Sequence, residues 1–259
     1  MYQEKAIISG QRDRGGGYSE LVLASPRIAA AVRPGQFIHL RIPDLHGAVL
    51  RRPFSLYRAA GDKLHILYKS VGLGTAAMNR LEDGCEVSVL GPLGNGFTLE
   101  LEGRSPVLIA GGYGVAPLYY LAEKLPVKGR LLVGGRSAQD ILLVDEFKKL
   151  GWQVEVATDD GSAGRHGLVT VLLDELLKTC ATISPVFYAC GPDGMLKALA
   201  QRALERGLPA WLSLDKHMGC GVGACLACVT RIRNEDGTES WKRVCKDGPV
   251  FSAREVVWE

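Results

Sequence analysis

The chain has 259 residues, 47% of them apolar, which is enough for two compact domains and a small appendage. Its 31 basic and 28 acidic residues nearly cancel to +3, and no basic cluster with interleaved aromatics occurs, so a nucleic-acid partner is not implied. The opening Met1-Tyr2-Gln3-Glu4-Lys5 carries an acidic residue before a brief apolar run, and runs such as Val107 to Ala110 and Ile141 to Val144 are too short to cross a bilayer. The expectation is a cytoplasmic protein with no signal and no membrane contact. In that compartment the seven cysteines stay reduced, which favours ligands or buried thiols over disulfides.

From Lys5 to Leu90 the chain reads as short strands: Lys5 to Ser9, Tyr18 to Ala24, Gln36 to Ile42, Phe54 to Arg58, Lys63 to Ser70 and Glu86 to Leu90. Apolar and polar residues alternate in several of them, Gly61-Asp62 supplies a hairpin turn, and Thr75 to Leu81 is one brief helix. The pattern predicts an antiparallel six-stranded β-barrel over residues 1–97. Two motifs sit on it. Arg51-Arg52-Pro53-Phe54-Ser55 places a guanidinium and a hydroxyl near a strand start, and Val71-Gly72-Leu73-Gly74-Thr75 runs from a strand into the helix. Glycines there admit a phosphate close to the backbone, Thr75 can cap the helix, and Arg52 can add forked charge-assisted bonds. Alone, the first motif is most often a solvated pair of arginines and the second a turn.

In this order the two motifs resemble the flavin-binding domain of the ferredoxin reductase superfamily. The resemblance implies FAD, with Arg52, Gly74 and Thr75 at its diphosphate and Pro53, Phe54 and Ser55 beside the isoalloxazine. Leu67, Tyr68 and Lys69, on the strand between the motifs, would line it.

Past the glycine-rich linker Gly91 to Gly96 the texture changes. Strands at Pro106 to Ala110, Arg130 to Gly134, Gln153 to Thr158, Val186 to Cys190 and Ala210 to Leu214 alternate with helices at Pro117 to Leu125, Asp140 to Leu150, Gly167 to Lys178 and Asp193 to Arg206. Nearly continuous apolar strands between helices predict a parallel α/β domain over residues 98–212, with ligands at the carboxyl ends of the strands. Gly111-Gly112-Tyr113-Gly114-Val115-Ala116-Pro117 follows the first strand but is not the G-x-G-x-x-G fingerprint, and the second strand ends in Gly135-Arg136 without an acidic residue. The stretch is instead similar to the Gly-Gly-x-Gly-x-Ala-Pro segment of ferredoxin reductase-like nucleotide domains. Cys190-Gly191-Pro192-Asp193-Gly194-Met195 resembles their Cys-Gly-Pro element, which implies a nicotinamide near Cys190, held by Gly111, Gly112, Gly114, Gly191 and Pro192. Asp159, in Thr158-Asp159-Asp160-Gly161-Ser162, suits a ribose and would repel a 2′-phosphate, favouring NAD over NADP. An exposed acidic turn and a small buried cysteine are the plain alternatives.

The last segment, residues 213–259, holds Cys220, Cys225, Cys228 and Cys245 in the pattern C-x4-C-x2-C-x16-C, the plant-type spacing for a [2Fe-2S] cluster. The glycines and alanines between them let backbone N–H groups close on sulfur. A four-cysteine zinc site and merely buried thiols compete, although structural zinc usually presents two short cysteine pairs. Val229 to Arg233 and Ser240 to Cys245 read as a hairpin across Asp236-Gly237 that returns Cys245 to the other three. A segment this short cannot build a substantial core, so ligation should contribute much of its fold.

The whole order, flavin barrel, nucleotide domain and cysteine loop, resembles the electron transfer subunits of B-type dihydroorotate dehydrogenases. That implies FAD, a [2Fe-2S] cluster and NAD as co-substrate in a chain that pairs with an FMN-containing catalytic subunit, two of each in a heterotetramer. The partner oxidises dihydroorotate to orotate, and no catalytic acid or base is expected in this chain. Three other readings stay open: a reductase subunit of another flavin and iron-sulfur complex, a zinc-stabilised binding module, and a self-sufficient NADH oxidase or diaphorase.

Overall fold

A computed structural model of the chain describes residues 1–43, 45, 49–179 and 184–258; Glu259, the end of the expected C-terminal tail, lies outside them. The first sheet is antiparallel and is built from β1 (Tyr2–Gly15), β2 (Tyr18–Ala24), β3 (Phe37–Arg41), β4 (Arg52–Ser55), β5 (Arg58–Ala60), β6 (Lys63–Lys69) and β7 (Glu86–Leu93), with helices α1 (Pro26–Ala31) and α2 (Leu73–Met78). Its order is β4-β3-β7-β1-β2-β6-β5, so β4 and β5 are the two edges. Burial alternates strictly along β7, where Val87, Val89, Gly91 and Leu93 point inward. Ile8, Leu21, Leu23, Ile38, Leu40, Leu64 and Ile66 complete that interior.

Seven strands stand where six were expected, because Phe54 to Arg58 divides into β4 and β5. Leu56 is sealed in the barrel and Tyr57 turns out to pack on Tyr119, with ring centroids 5.1 Å apart. The chain thereby crosses from one sheet edge to the other. Helix α2 begins at Leu73, two residues earlier than expected, and α1 was not expected at all. The Glu4 carboxylate caps α1 from β1, accepting hydrogen bonds from Ser25 Oγ (2.5 Å) and the N–H groups of Arg27 and Ile28 (3.2 and 3.1 Å).

The second sheet carries β8 (Ser105–Gly111), β9 (Arg130–Gly135), β10 (Gln153–Thr158), β11 (Arg165–His166), β12 (Pro185–Cys190) and β13 (Ala210–Ser213), covered by α3 (Val115–Lys124), α4 (Val144–Lys149), α5 (Thr170–Thr179) and α6 (Asp193–Glu205). Strand ends fall within a residue or two of the sequence expectation. Helix α4 starts four residues late because residues 138–140 form a 3-10 turn and Leu143 takes φ +62°.

The C-terminal hairpin is β14 (Val229–Arg233) and β15 (Glu239–Arg243). A further strand, β16 (Val250–Ser252), pairs antiparallel with β13, giving the sheet order β11-β10-β9-β8-β12-β13-β16. The segment builds no core of its own but joins that of the α/β layer. Cys228, Ile232, Val244, Cys245 and Phe251 share one apolar core with Leu212, Leu214 and the faces of α5 and α6, so hydrophobic burial already seats it.

Polar contacts tie the barrel to the α/β layer. Lys69 Nζ lies 2.8 Å from Asp140 Oδ1, to which Tyr18 also donates at 2.8 Å, and Arg14 bridges Glu20 (2.6 Å) and Glu146 (2.9 Å). Burial pushes the Glu20 carboxyl up, but His65 and Arg14 outweigh it and hold it below the usual glutamate range. The stabilisation is therefore complete above that range and is lost as pH falls through the lowered folded value. We expect Glu20→Gln to cost about 2 kcal/mol at neutral pH and much less in acid, as read by denaturant unfolding at the two pH values. Equal stability of the two proteins at neutral pH would contradict this role.

Among the described residues, no helix is long and apolar enough to cross a membrane.

Candidate functional site

Strands β4 and β6 approach across the open side of the barrel, where the rings of Phe54 and Tyr68 meet edge to face at 6.1 Å. His65 turns its carbonyl toward the β5 side, accepting the Tyr57 N–H at 2.9 Å. By the two-residue period of a strand, Leu67 presents its own N–H and C=O to that same edge, beyond the end of β5. The side chains of Leu67 and Tyr68 are buried, so what this stretch offers a flat ring is backbone. Lys69, next along the same strand, bonds its ammonium to Asp140 and Tyr18, so its contribution to that edge is backbone too.

Arg52 and Gly74 come together. A β-carbon on Gly74 would lie 3.4 Å from Arg52 Nε and 3.2 Å from Ile42 Cδ1, so the glycine brings the loop close against the arginine side chain. Thr75 caps the helix from inside it, Gly72 being the N-cap residue. It sits in the first turn, where its hydroxyl accepts the N–H groups of Val71 (2.9 Å) and Gly72 (3.1 Å) and fixes the loop. The first intrahelical bond runs from Ala76 to Gly72, which leaves the N–H groups of Leu73, Gly74 and Thr75 ahead of it. A guanidinium, a glycine-tight loop and a free strand edge fit a flavin dinucleotide.

In the α/β layer, sheet order runs outward in both directions from β8 and β12, so the crevice at their carboxyl ends is the topological switch point. Both expected loops meet there. A β-carbon on Gly111 would lie 2.7 Å from Pro192 Cδ, and one on Gly114 only 2.2 Å from the Cys190 carbonyl oxygen. Gly112 takes φ +53°, a conformation that favours glycine. Cys190 ends β12 among groups that keep it neutral, burial and the Asp215 carboxylate pushing its thiol up to about 12. Asp159 stands apart, exposed at the end of β10 beside Gly135, whose carbonyl accepts its N–H at 3.0 Å. Two strands separate it from Cys190, which leaves it at a distance only an extended dinucleotide could bridge.

The cysteines form two twos. Cys220 and Cys225 exchange N–H to Sγ contacts at 3.4 Å in both directions, and the Cys245 N–H points at Cys228 Sγ, also at 3.4 Å. Val222 and Ala224 add N–H donors to Cys220 Sγ at 3.5 and 3.2 Å. Burial works against ionisation of Cys220, but these donors pull its thiol down to about 6. Burial and the adjoining Cys228 push Cys245 up to about 12, so a metal ion bound there would have to displace a proton. Among the described residues no three such side chains converge as ligands of one ion would. Two thiol pairs with backbone donors at sulfur are the donor set that two irons share. Gly221 and Gly223 sit at φ +70° and +85°, and Leu226, between the second and third cysteines, holds the strained value of +59°.

One residue at this site drew no attention in the sequence. His39, on β3, is fully buried and packs against Gly221, while its strand partner on β4 is Pro53. Burial and the nearby Arg51 guanidinium push its imidazole down to about 4, so it is neutral at physiological pH. The only sequence signal was a polar residue in the otherwise apolar run Phe37-Ile38-His39-Leu40.

Comparison with known proteins bears on the same regions. Residues 215–257 match the iron-sulfur cluster binding domain of dihydroorotate dehydrogenase B, and residues 108–201 match the oxidoreductase NAD-binding domain. The dihydroorotate dehydrogenase B (NAD(+)) electron transfer subunit of Bacillus caldolyticus is 40% identical over 98% of both chains. That of Shouchella clausii is 41% identical over 92% of both. The chain belongs to the dihydroorotate dehydrogenase B electron transfer subunit family. As a member it is an oxidoreductase subunit, with the switch-point crevice inside its NAD-binding domain and all four cysteines inside its iron-sulfur domain. A chain from an NADH-dependent reduced ferredoxin-NADP oxidoreductase superposes with a TM-score of 0.85 at 30% identity, covering 98% of this chain and 90% of that one. The ferredoxin reductase of carbazole 1,9a-dioxygenase, at 21% identity and a TM-score of 0.66 over 80% of this chain and 66% of that one, shares the ferredoxin reductase-like fold.

Proposed function

We propose that this electron transfer subunit takes electrons from an FMN-containing catalytic subunit that oxidises dihydroorotate to orotate, and delivers them through a [2Fe-2S] cluster and FAD to NAD. FAD supplies the chemistry that joins the other two groups, because a cluster carries one electron at a time and nicotinamide accepts only a hydride. The chain's own residues bind and orient. Arg52, Gly74 and Thr75 hold the diphosphate; Pro53, Phe54, Ser55 and the strand edge at Leu67, Tyr68 and Lys69 hold the flavin ring. Gly111, Gly112, Gly114, Cys190, Gly191 and Pro192 seat the nicotinamide half of NAD, with Asp159 toward the far ribose. Cys220, Cys225, Cys228 and Cys245 ligate the irons. The division into 1–97, 98–212 and 213–259 assigns one cofactor to each part.

The observation that carries the reading is the seating of the cysteine loop. Gly221 lies against β3, the strand paired with the flavin strand β4, so the thiols and the flavin edge share one side of the barrel. On the outer side Leu226 of the loop and Trp241 of β15, 61% and 62% exposed, surround a shallow cavity shared with Val229 and Lys242. Exposed apolar residues there suit the docking of the catalytic subunit, in a heterotetramer of two of each.

Copurification of untagged neighbours, followed by dihydroorotate-dependent NAD reduction with and without this chain, tests the proposal. A requirement for the chain supports it. The likeness to the ferredoxin-NADP oxidoreductase chain favours a second reading, a reductase subunit of that type, and recovery of such a partner would select it. For the flavin site, Arg52→Ala is expected to weaken FAD retention by about 2 kcal/mol through loss of a charge-assisted diphosphate contact. Flavin released on dilution and gel filtration measures it, and unchanged affinity removes Arg52 from the site.

A further inference from the structure

His39 is sealed from solvent, and among the described residues neither ring nitrogen has a hydrogen-bond partner. An imidazole always carries at least one N–H, and a buried donor left unpaired costs about 1–3 kcal/mol. Few buried polar groups in native structures go unpaired, and a bound prosthetic group is one of the things that satisfies those left over by the protein's own atoms. The direction of the ring says where to look. A β-carbon on Gly221 would lie 2.5 Å from Cε1, 2.7 Å from Nε2 and 2.8 Å from Nδ1, so it is the polar edge of the imidazole that faces the cysteine loop. The loop closes its own donors inward, with the N–H groups of Val222, Ala224 and Cys225 all directed at Cys220 Sγ. Any side chain at 221 would push His39 away, and the φ of +70° there independently favours glycine. Loop and histidine are thus built to touch.

We propose that the His39 imidazole donates a hydrogen bond to a sulfur of the iron-sulfur cluster, reaching past Gly221 from the flavin barrel, and thereby raises the cluster's reduction potential. A donor at sulfur stabilises the more negative, reduced cluster, so its removal favours the oxidised form. Because β3 pairs with β4 at Pro53, the same contact fixes the loop against the strand assigned to the flavin. The proposal rests on the reading of the four cysteines as cluster ligands.

The test uses the intact chain with its cluster. Protein with selectively 15N-labelled histidine is reduced and examined by pulsed EPR for nuclear coupling to the cluster spin, and potentials are read by EPR-monitored titration. A histidine 15N coupling is expected that disappears in His39→Leu, together with a shift of the potential to lower values. His39→Gln, which restores an N–H donor, should bring the potential back toward that of the unaltered protein. Absence of a histidine coupling in the unaltered protein overturns the proposal, as does a coupling that persists in His39→Leu, since His217 is labelled too. Should His39→Leu fail to fold, the labelled unaltered protein and His39→Gln still decide. Failure of the cysteine reading looks different: no cluster signal is present in any of the proteins.

Discussion

Replacing Cys225 with serine is expected to abolish or cripple the cluster while leaving FAD bound. Cys225 is one member of the Cys220 pair, is exposed, and contributes its sulfur to the reciprocal contacts that close the loop. Serine keeps the size but offers a hard oxygen with a proton it does not readily lose, in place of a soft thiolate. The remaining pair, Cys228 and Cys245, is buried in the core shared with the α/β layer, so the segment keeps its fold. The residues assigned to FAD lie on β4, β6 and α2 of the barrel, whereas among the described residues the hydrogen bonds of Cys225 run to Cys220. Iron and acid-labile sulfide should therefore fall well below half of the native content, with flavin absorbance unchanged. Dihydroorotate-dependent NAD reduction should drop to background, while NADH-driven reduction of an artificial acceptor, which uses only the flavin, persists. Loss of flavin along with the iron would show that the two sites are not separable.

Much of this architecture was legible because it is written in local periodicity. Alternation of apolar and polar residues, as within Lys63 to Ser70 and Glu86 to Leu90, gave the barrel strands. The apolar runs ending in Ala110, Gly134 and Cys190 gave the parallel ones, and the cysteine spacing gave the loop. What escaped is set by partners far away in the chain. Helix α1 has only six residues, too few to show a helical period, and is capped by Glu4 from another strand. Strand β16 has three residues and exists because β13 offers it an edge. The Phe54 to Arg58 stretch reads as one strand until Tyr57 finds Tyr119. At the site, the cysteines, Arg52 and the glycine loops announce themselves by residue type, whereas His39 is singled out only by what it lacks. A histidine in a strand is unremarkable until its neighbours are known to offer neither nitrogen a bond.

Gly114→Ala is expected to disable nicotinamide reactivity without unloading the other cofactors. The added β-carbon would stand 2.2 Å from the Cys190 carbonyl oxygen, 2.6 Å from its carbon and 2.9 Å from the Gly191 nitrogen. All three are backbone atoms, so no change of rotamer relieves the clash. The two loops cannot part freely either, since β8 and β12 are hydrogen-bonded up to Ala110 and Cys190. Overpacking of this kind costs about 1–3 kcal/mol, which the fold can survive. The crevice must nevertheless widen by something on the order of 1 Å, and a displacement of that size is enough to cost about 100-fold in a hydride transfer that depends on alignment. Stopped-flow reduction of the flavin by NADH should slow by roughly that factor, with FAD and iron contents near native. Gly194→Ala is the control: it lies in the first turn of α6, just past the Cys190 loop, and its β-carbon would meet nothing within 4 Å, so its rate should match the unaltered protein. If the two variants behave alike, the meeting of the glycine loop with Cys190 is packing, and the nicotinamide reacts elsewhere.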